Sequence, residues 1–196
     1  MDPSQHTNVA YQEFSGGIIV TSYAISTIGA MTALELLTRR THIKGLYNWF
    51  LLTAAATAMA CVGIWAMHYI GNNSLTLSFD GDDQGSHQLS YSAGYTFASL
   101  VVAIACMFLA CTFVGITEEA QLVRTIPSGI FAGGGIGLMH YLGQFAIDFF
   151  TVRYTTAFVV AAIVIACVAV TAALFIFFKL RENWANQWYK RLVAPC

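Results

Sequence analysis

Five long runs of apolar residues, separated by short polar segments, dominate the pattern of the chain. They cover residues 17–37, 47–70, 95–116, 126–147 and 155–178. Each run is close to the ~20 residues that a helix needs to cross a bilayer. The pattern therefore predicts an all-α fold, a polytopic transmembrane bundle of five spans over residues 17–178. Residues 1–16 then form an N-terminal segment outside the bundle, and residues 179–196 form an interfacial tail.

The composition agrees with a membrane protein and excludes several other classes. Hydrophobic residues make up 57% of the 196 positions and charged residues only 10%, whereas a soluble domain has about 25% charged residues. The formal net charge is −1, with no basic patch for nucleic acid. No catalytic triad, paired-carboxylate site or phosphate-binding loop occurs, so we expect no enzymatic activity. We expect a multi-pass protein of the plasma membrane whose constant partner is the lipid bilayer.

The distribution of basic residues predicts the orientation. Residues 38–46 carry three Lys or Arg and residues 179–196 carry four, whereas residues 71–94 carry none. Basic residues accumulate in cytoplasmic loops. We therefore predict an N-terminus outside the cytoplasm and a C-terminus inside it.

An internal repeat gives the strongest functional signal. ACVGIWAMHYIG at residues 60–71 recurs as AGGGIGLMHYLG at residues 132–143, which predicts one two-helix hairpin used twice. Small residues in such helices allow close backbone approach. The candidate packing glycines in the two stretches are Gly63, Gly71, Gly133, Gly135, Gly137 and Gly143.

Each stretch contains a Met-His-Tyr triplet toward the predicted outer end of its helix. The triplets are Met67, His68 and Tyr69 in the first stretch, and Met139, His140 and Tyr141 in the second. Ionisable groups inside a membrane are energetically expensive and usually functional. Imidazole and thioether groups together favour copper, especially Cu(I). We predict a metal site formed by the two histidines and two methionines, with the tyrosines in supporting positions.

Geometry and chemistry leave alternatives open. Neighbouring residues on a helix project ~100° apart, so Met and His of one triplet do not both point straight at one centre without distortion. The two histidines could instead clasp a haem from both sides, as in a haem b-binding membrane electron carrier. A third reading is a bundle without cofactor, in which the triplets only pack helices.

The stretches IWAMHYIG and GLMHYLG resemble the repeated signature of the MHYT family of integral membrane sensor domains. TALELLTRRTHIKGLYNW and YSAGYTFAS are similar to the fungal members, the MHYT domain signalling proteins. The resemblance implies copper bound through the Met and His of the motif, a diatomic gas (O2, CO or NO) as the sensed ligand, and an unknown cytoplasmic signalling partner. The family pattern also contains a third motif, which this chain does not show. We therefore expect a site that lacks the ligands of the third motif.

Overall fold

The structure is a computed structural model that describes residues 10–40, 45–79, 86–115, 122–147 and 154–184. Five long helices are present in the described residues. They are α1 (Gly16–Thr38), α2 (Leu46–Asn72), α3 (Ala93–Gly115), α4 (Leu122–Phe145) and α5 (Thr156–Trp184). The predicted helical bundle is confirmed. Most of the predicted tail, residues 185–196, lies outside the described residues.

Four of these helices are long and apolar enough to cross a membrane, namely α1, α2, α3 and α5. The remaining helix, α4, has 24 residues and is therefore about 36 Å long at ~1.5 Å per residue. It is less apolar because it contains Arg124, Pro127 and six glycines, and it packs against both α3 and α5. The chain is a multi-pass integral membrane protein, and the orientation of its termini stays a prediction.

A small antiparallel sheet, which the apolar pattern did not predict, lies at one end of the bundle. Its strands are β1 (Ala10–Phe14), β2 (Leu75–Phe79) and β3 (Ser86–Gln88), in the order β1-β2-β3. Because β1 leads into α1 and β2 follows α2, the sheet marks the start of α1 and the end of α2. We call this side of the bundle the sheet end. The predicted N-terminal segment therefore contains a strand.

The second helix is not a regular α-helix along its whole length. Its central segment, Ala58–Ala66, is π-helical. Two serines of α1 bind carbonyl groups in and just after this segment: Ser26 Oγ donates to Gly63 O at 2.7 Å and Ser22 Oγ donates to Met67 O at 2.8 Å. The equivalent residues 130–138 of α4 are α-helical. The two repeated stretches therefore differ in helix type, although their sequences match.

Glycines bring α4 and α5 into close contact. A Cβ atom on Gly133 would lie 2.5 Å from Cys167 Cα, and one on Gly137 would lie 3.0 Å from Ile163 Cγ1. Gly129, which our sequence analysis missed, extends the same four-residue spacing and meets Thr171 of α5. These glycines form a stripe on which α5 lies antiparallel to α4.

Three of the other candidate glycines also lie at helix contacts. Gly63 meets Gly29 of α1, since a Cβ on Gly29 would lie 2.7 Å from Gly63 Cα. Gly135 faces the Cys106 side chain of α3, and a Cβ on Gly71 would lie 3.3 Å from the Ser22 hydroxyl oxygen.

Gly143 departs from the packing prediction. Apart from its chain neighbours and its own helix backbone, no atom of the described residues lies within 4 Å of the Cβ position at this glycine. Gly143 instead lines a cavity at the sheet end of the bundle.

Candidate functional site

The two repeated histidines meet at the sheet end of the bundle. His68 lies near the end of α2 and His140 lies near the end of α4, and their ring centroids are 5.7 Å apart at an interplanar angle of 65°. The end of α4 is joined to the segment before α3, because Ser92 N donates to Ala146 O at 2.6 Å. Residues 72 positions apart in sequence thus form one pair in space.

The backbone of α2 fixes the tautomer of His68. Its Nδ1 lies 2.8 Å from the carbonyl oxygen of Ile64. A carbonyl oxygen only accepts hydrogen bonds, so Nδ1 carries the proton. In the neutral ring, Nε2 then has a free lone pair, which is the state that a metal-binding histidine needs.

The two motif methionines have different surroundings. Met139 is only 3% exposed and lines the same cavity as both histidines. Met67 does not line this cavity, and its carbonyl accepts the hydrogen bond from Ser22. The structure therefore brings His68, His140 and Met139 together and leaves Met67 outside the predicted ligand set.

The cavity is small, and packed side chains border it on the side that faces the interior of the bundle. Its volume is about 30 Å³, room for an ion with one small ligand, since a water molecule needs roughly 10–15 Å³ by the same measure. Beneath it, Ala60, Ala103 and Met139 form a buried cluster. Trp65 packs against this cluster and donates from Nε1 to Ser99 Oγ at 3.0 Å.

Each motif tyrosine lies close to the histidine site. Tyr69 lines the cavity and stacks on Trp65, with ring centroids 5.2 Å apart. Tyr141 contacts His140 edge to face at 5.4 Å and contacts Tyr154 in the same way at 5.4 Å. Both positions suit the supporting role that we predicted.

A third tyrosine, Tyr91, reaches the site although the sequence analysis did not select it. It lines the cavity, and its hydroxyl is buried with no hydrogen-bond partner in the part of the chain that the structure describes. Burial and the neighbouring Tyr69 raise the pKa of Tyr91, so its hydroxyl keeps its proton at neutral pH. Tyr91 lies outside both Met-His-Tyr stretches; it is the first residue of YSAGYTFAS, to which the sequence analysis assigned a family resemblance but no site residue.

Two imidazoles and a thioether with no carboxylate form a donor set that suits Cu(I) and does not suit Mg²⁺ or Ca²⁺. Within the described ranges, no three His, Cys, Asp or Glu side chains are grouped so that they could hold a metal ion. A metal at this site therefore depends on Met139 as the ligand beside His68 and His140. By donor type, these three residues match the ligands that reduced copper prefers.

Comparisons with known proteins agree with the repeated motif. The MHYT family model, described as a bacterial signalling protein N terminal repeat, matches residues 62–125 and 133–188. MucR of Pseudomonas aeruginosa, named a bifunctional diguanylate cyclase/cyclic di-GMP phosphodiesterase, is 30% identical over 167 residues, 85% of this chain and 23% of that protein. The signaling protein YkoW of Bacillus subtilis is 25% identical over 163 residues, 83% of this chain and 19% of that protein.

An uncharacterized signaling protein of Caulobacter vibrioides is 26% identical over 131 residues, 66% of this chain and 15% of that protein. The chain thus spans less than a quarter of the length of these relatives. No solved structure matches it. The family model covers most of the chain, and each matched segment contains one Met-His-Tyr triplet. The chain therefore belongs to the MHYT family, the membrane-embedded repeat of signalling proteins.

Proposed function

We propose that this membrane domain senses a diatomic gas, O2, CO or NO, at a copper ion held by His68, His140 and Met139. The observation that carries the proposal is the meeting of the two repeated histidines, with ring centroids 5.7 Å apart, beside a buried methionine. The donor set favours reduced copper. The small cavity leaves room for one diatomic molecule beside the ion.

Each residue has a distinct part in this proposal. His68 offers Nε2, because Ile64 O holds the proton on Nδ1. Met139 offers its thioether sulfur from the buried side of the cavity, and His140 offers its imidazole from the facing helix. The copper ion would supply a binding position for the gas. The packed cluster around Trp65 and Ala103 excludes water from the inner side.

The placement of the ligands also suits signalling. His68 belongs to the first repeat and His140 to the second, so a ligand that changes the distance between the two rings moves α2 against α4. Small shifts of packed helices are an established element of switching transitions in proteins. The predicted receiver is an unknown cytoplasmic signalling partner.

Copper binding by the full chain tests the proposal. The purified protein in detergent is loaded with Cu(I) without oxygen, and bound copper and affinity are measured by competition with a coloured Cu(I) chelator. We expect about one copper ion per chain in the wild type and loss of copper in the double variant His68→Ala/His140→Ala. The infrared stretch of added CO then reports whether a gas binds at the copper.

The duplicated motif supplies a matched control. Met139→Leu and Met67→Leu make the same chemical change in the two stretches, but only Met139 lines the cavity. We expect Met139→Leu to weaken Cu(I) affinity at least about tenfold, since even outer partners of a metal site contribute 10–100-fold. Met67→Leu should leave the affinity unchanged.

Three results would contradict the proposal. Equal losses in the two Leu variants would show that Met139 is not a ligand. A Soret band that disappears with both histidines would assign the site to haem. Absence of copper and haem in the wild type would mean that the motif packs helices without a cofactor.

A further inference from the structure

The central segment of α2 has an unusual helix type for its sequence. π-Helices are rare, mostly span a single turn and often occur at functional sites, whereas this one covers the nine residues Ala58–Ala66. The matching residues 130–138 of the second repeat are α-helical. The Gly-Ile pair at residues 63–64 recurs there at residues 135–136, so this pair does not itself require the π form. The surroundings of α2 are therefore needed to explain it.

Two hydroxyl groups of α1 bind the backbone of α2 at this segment. Ser26 Oγ donates to Gly63 O at 2.7 Å, within the π segment, and Ser22 Oγ donates to Met67 O at 2.8 Å, just after it. A side chain that reaches a helix carbonyl disturbs the regular α-helical ladder at that point. The two hydroxyls therefore favour the π form of the segment over the α form.

The second repeat lacks both of these hydroxyl groups. The offset of 72 residues that aligns the two triplets places Gly94 and Ala98 of α3 at the positions of Ser22 and Ser26. Neither glycine nor alanine has a side chain that donates a hydrogen bond. The π form thus occurs in the repeat that has the two hydroxyls, and the α form occurs in the repeat that lacks them.

The helix type of this segment also decides where His68 lies. Its Nδ1 is 2.8 Å from Ile64 O, inside the segment, and its ring lies 5.7 Å from that of His140. A π-helical turn holds more residues than an α-helical turn. Conversion of the segment to an α-helix would therefore rotate residues 67–72 about the axis of α2 relative to residues 46–57. The rotation would carry the His68 ring away from His140.

We propose that the segment Ala58–Ala66 is a switch between a π form, in which the two histidines meet, and an α form, in which they separate. The switch rests on the geometry of α1 and α2, and its control by a ligand rests on the copper site proposed above. A ligand shifts a two-state equilibrium toward the state that it binds. An ion held by both histidines binds only the π form, so its binding is passed to α1 through the two hydroxyls.

Carbonyl NMR of the full chain in detergent tests the switch without copper. When glycine carries carbon-13 in its carbonyl group and isoleucine carries nitrogen-15, only the five Gly–Ile peptide bonds give a paired signal. They include the bond between residues 63 and 64 and its equivalent between residues 135 and 136. The conservative variants Ile64→Val and Ile136→Val assign these two signals, because each variant removes one of them.

Ser22→Ala is the decisive variant, because Ser22 binds the carbonyl of Met67, four residues after Gly63. If the segment converts as a unit, this distant change also alters the hydrogen bonding of Gly63. In the metal-free chain we expect the Gly63 signal to move toward the position of the Gly135 signal, which should stay unchanged. A Gly63 signal that stays in place in Ser22→Ala would show a fixed segment and would overturn the inference.

Thr21→Ala is the matched control in the same helix. Thr21 Oγ1 donates to Gly17 O at 2.9 Å within α1, and the Gly17 carbonyl belongs to another labelled Gly–Ile bond. We expect the Gly17 signal to move and the Gly63 signal to stay. Equal movement of the Gly63 signal in Thr21→Ala and Ser22→Ala would show a general response of α1 to substitution and would also overturn the inference.

Copper then tests how a ligand controls the switch. Cu(I) should return the Gly63 signal of Ser22→Ala to its wild-type position. This variant should bind Cu(I) about two- to fourfold more weakly than the wild type, as expected when the binding-competent form loses one interhelical hydrogen bond. Bound copper without return of the signal would overturn control by the ligand. Absence of copper in the wild type would overturn the proposed function, while the metal-free signals still decide whether the segment switches.

Discussion

Two adjacent glycines of α4 have opposite surroundings. The Cβ position of Gly133 lies 2.5 Å from Cys167 Cα, whereas the described part of the chain has no atom outside the surrounding helix backbone within 4 Å of the Cβ position of Gly134. Both residues are in the same helix, so helix propensity affects them alike. Any difference between their alanine variants therefore measures the contact with α5.

We expect Gly133→Ala to lower the free energy of unfolding by about 1–3 kcal/mol, because the new methyl group pushes α5 away from α4. Gly134→Ala should be neutral or stabilising by up to ~1 kcal/mol, since alanine is the better helix former. Unfolding in mixed detergent micelles, followed by helicity, measures both. Equal effects of the two substitutions would contradict the close packing at Gly133.

The repeated triplets predicted at which depth in the membrane the motif residues lie more reliably than the direction in which their side chains project. The sequence placed His68 and His140 at similar depth, and the structure brings their rings together. The sequence did not show that Met139 lines the cavity and Met67 does not. A π-helical turn holds more residues than an α-helical turn, so residues that follow the π-helical part of α2 are rotated relative to their equivalents in α4. No residue pattern in the sequence predicted the π-helical segment Ala58–Ala66.

Tyr91 was not predicted for a different reason. It reaches the cavity through a backbone bridge to Ile147, a contact between segments distant in sequence. Such a contact leaves no periodic signal in the chain. Gly129 did have a signal, because it continues the four-residue spacing of Gly133 and Gly137.

At the scale of elements, length and apolar character were enough to predict the helices but not the sheet. Strand β2, LTLSF, alternates apolar and polar residues, and its Leu77 is buried. This period of two is the usual strand signal. The strand has only five residues, however, and its partner β1 lies in a segment that the apolar runs leave outside the bundle.

The contact between α1 and α2 depends on two hydroxyl groups. Ser22 and Ser26 donate to carbonyls at residues 67 and 63, next to His68. Hydrogen bonds between membrane helices contribute about 0.6 kcal/mol each on average. The two serines therefore hold α1 against the part of α2 that positions the histidine.

We expect the double variant Ser22→Ala/Ser26→Ala to lose about 1–2 kcal/mol of unfolding free energy. It should also weaken Cu(I) affinity, because the end of α2 is held less firmly. Thr21→Ala is the control, since Thr21 Oγ1 bonds within its own helix to Gly17 O. Unfolding in mixed micelles and chelator competition measure the two effects. Wild-type affinity in a destabilised double variant would show that α1 does not position His68.

At the scale of the whole molecule, the candidate site joins the two repeats. His68 lies on α2 and His140 lies on α4, while α3 packs against both helices. At the opposite end, Phe177 of α5 packs on Leu34 and Leu37 of α1, so the first and last helices also meet. A ligand that needs both histidines binds only the assembled bundle.

Binding should therefore stabilise the whole bundle by mass action. Free Cu(I) at about one hundred times its dissociation constant would contribute ~2.7 kcal/mol. For a chain of this length, that corresponds to a rise of roughly 5–10 °C in the thermal unfolding midpoint. His140→Ala should sharply reduce the rise, because the ion then keeps only His68 and Met139 as ligands and binds more weakly. Met67→Leu should keep the copper-induced rise in the unfolding midpoint. An equal rise in His140→Ala would place the copper away from the contact between the repeats.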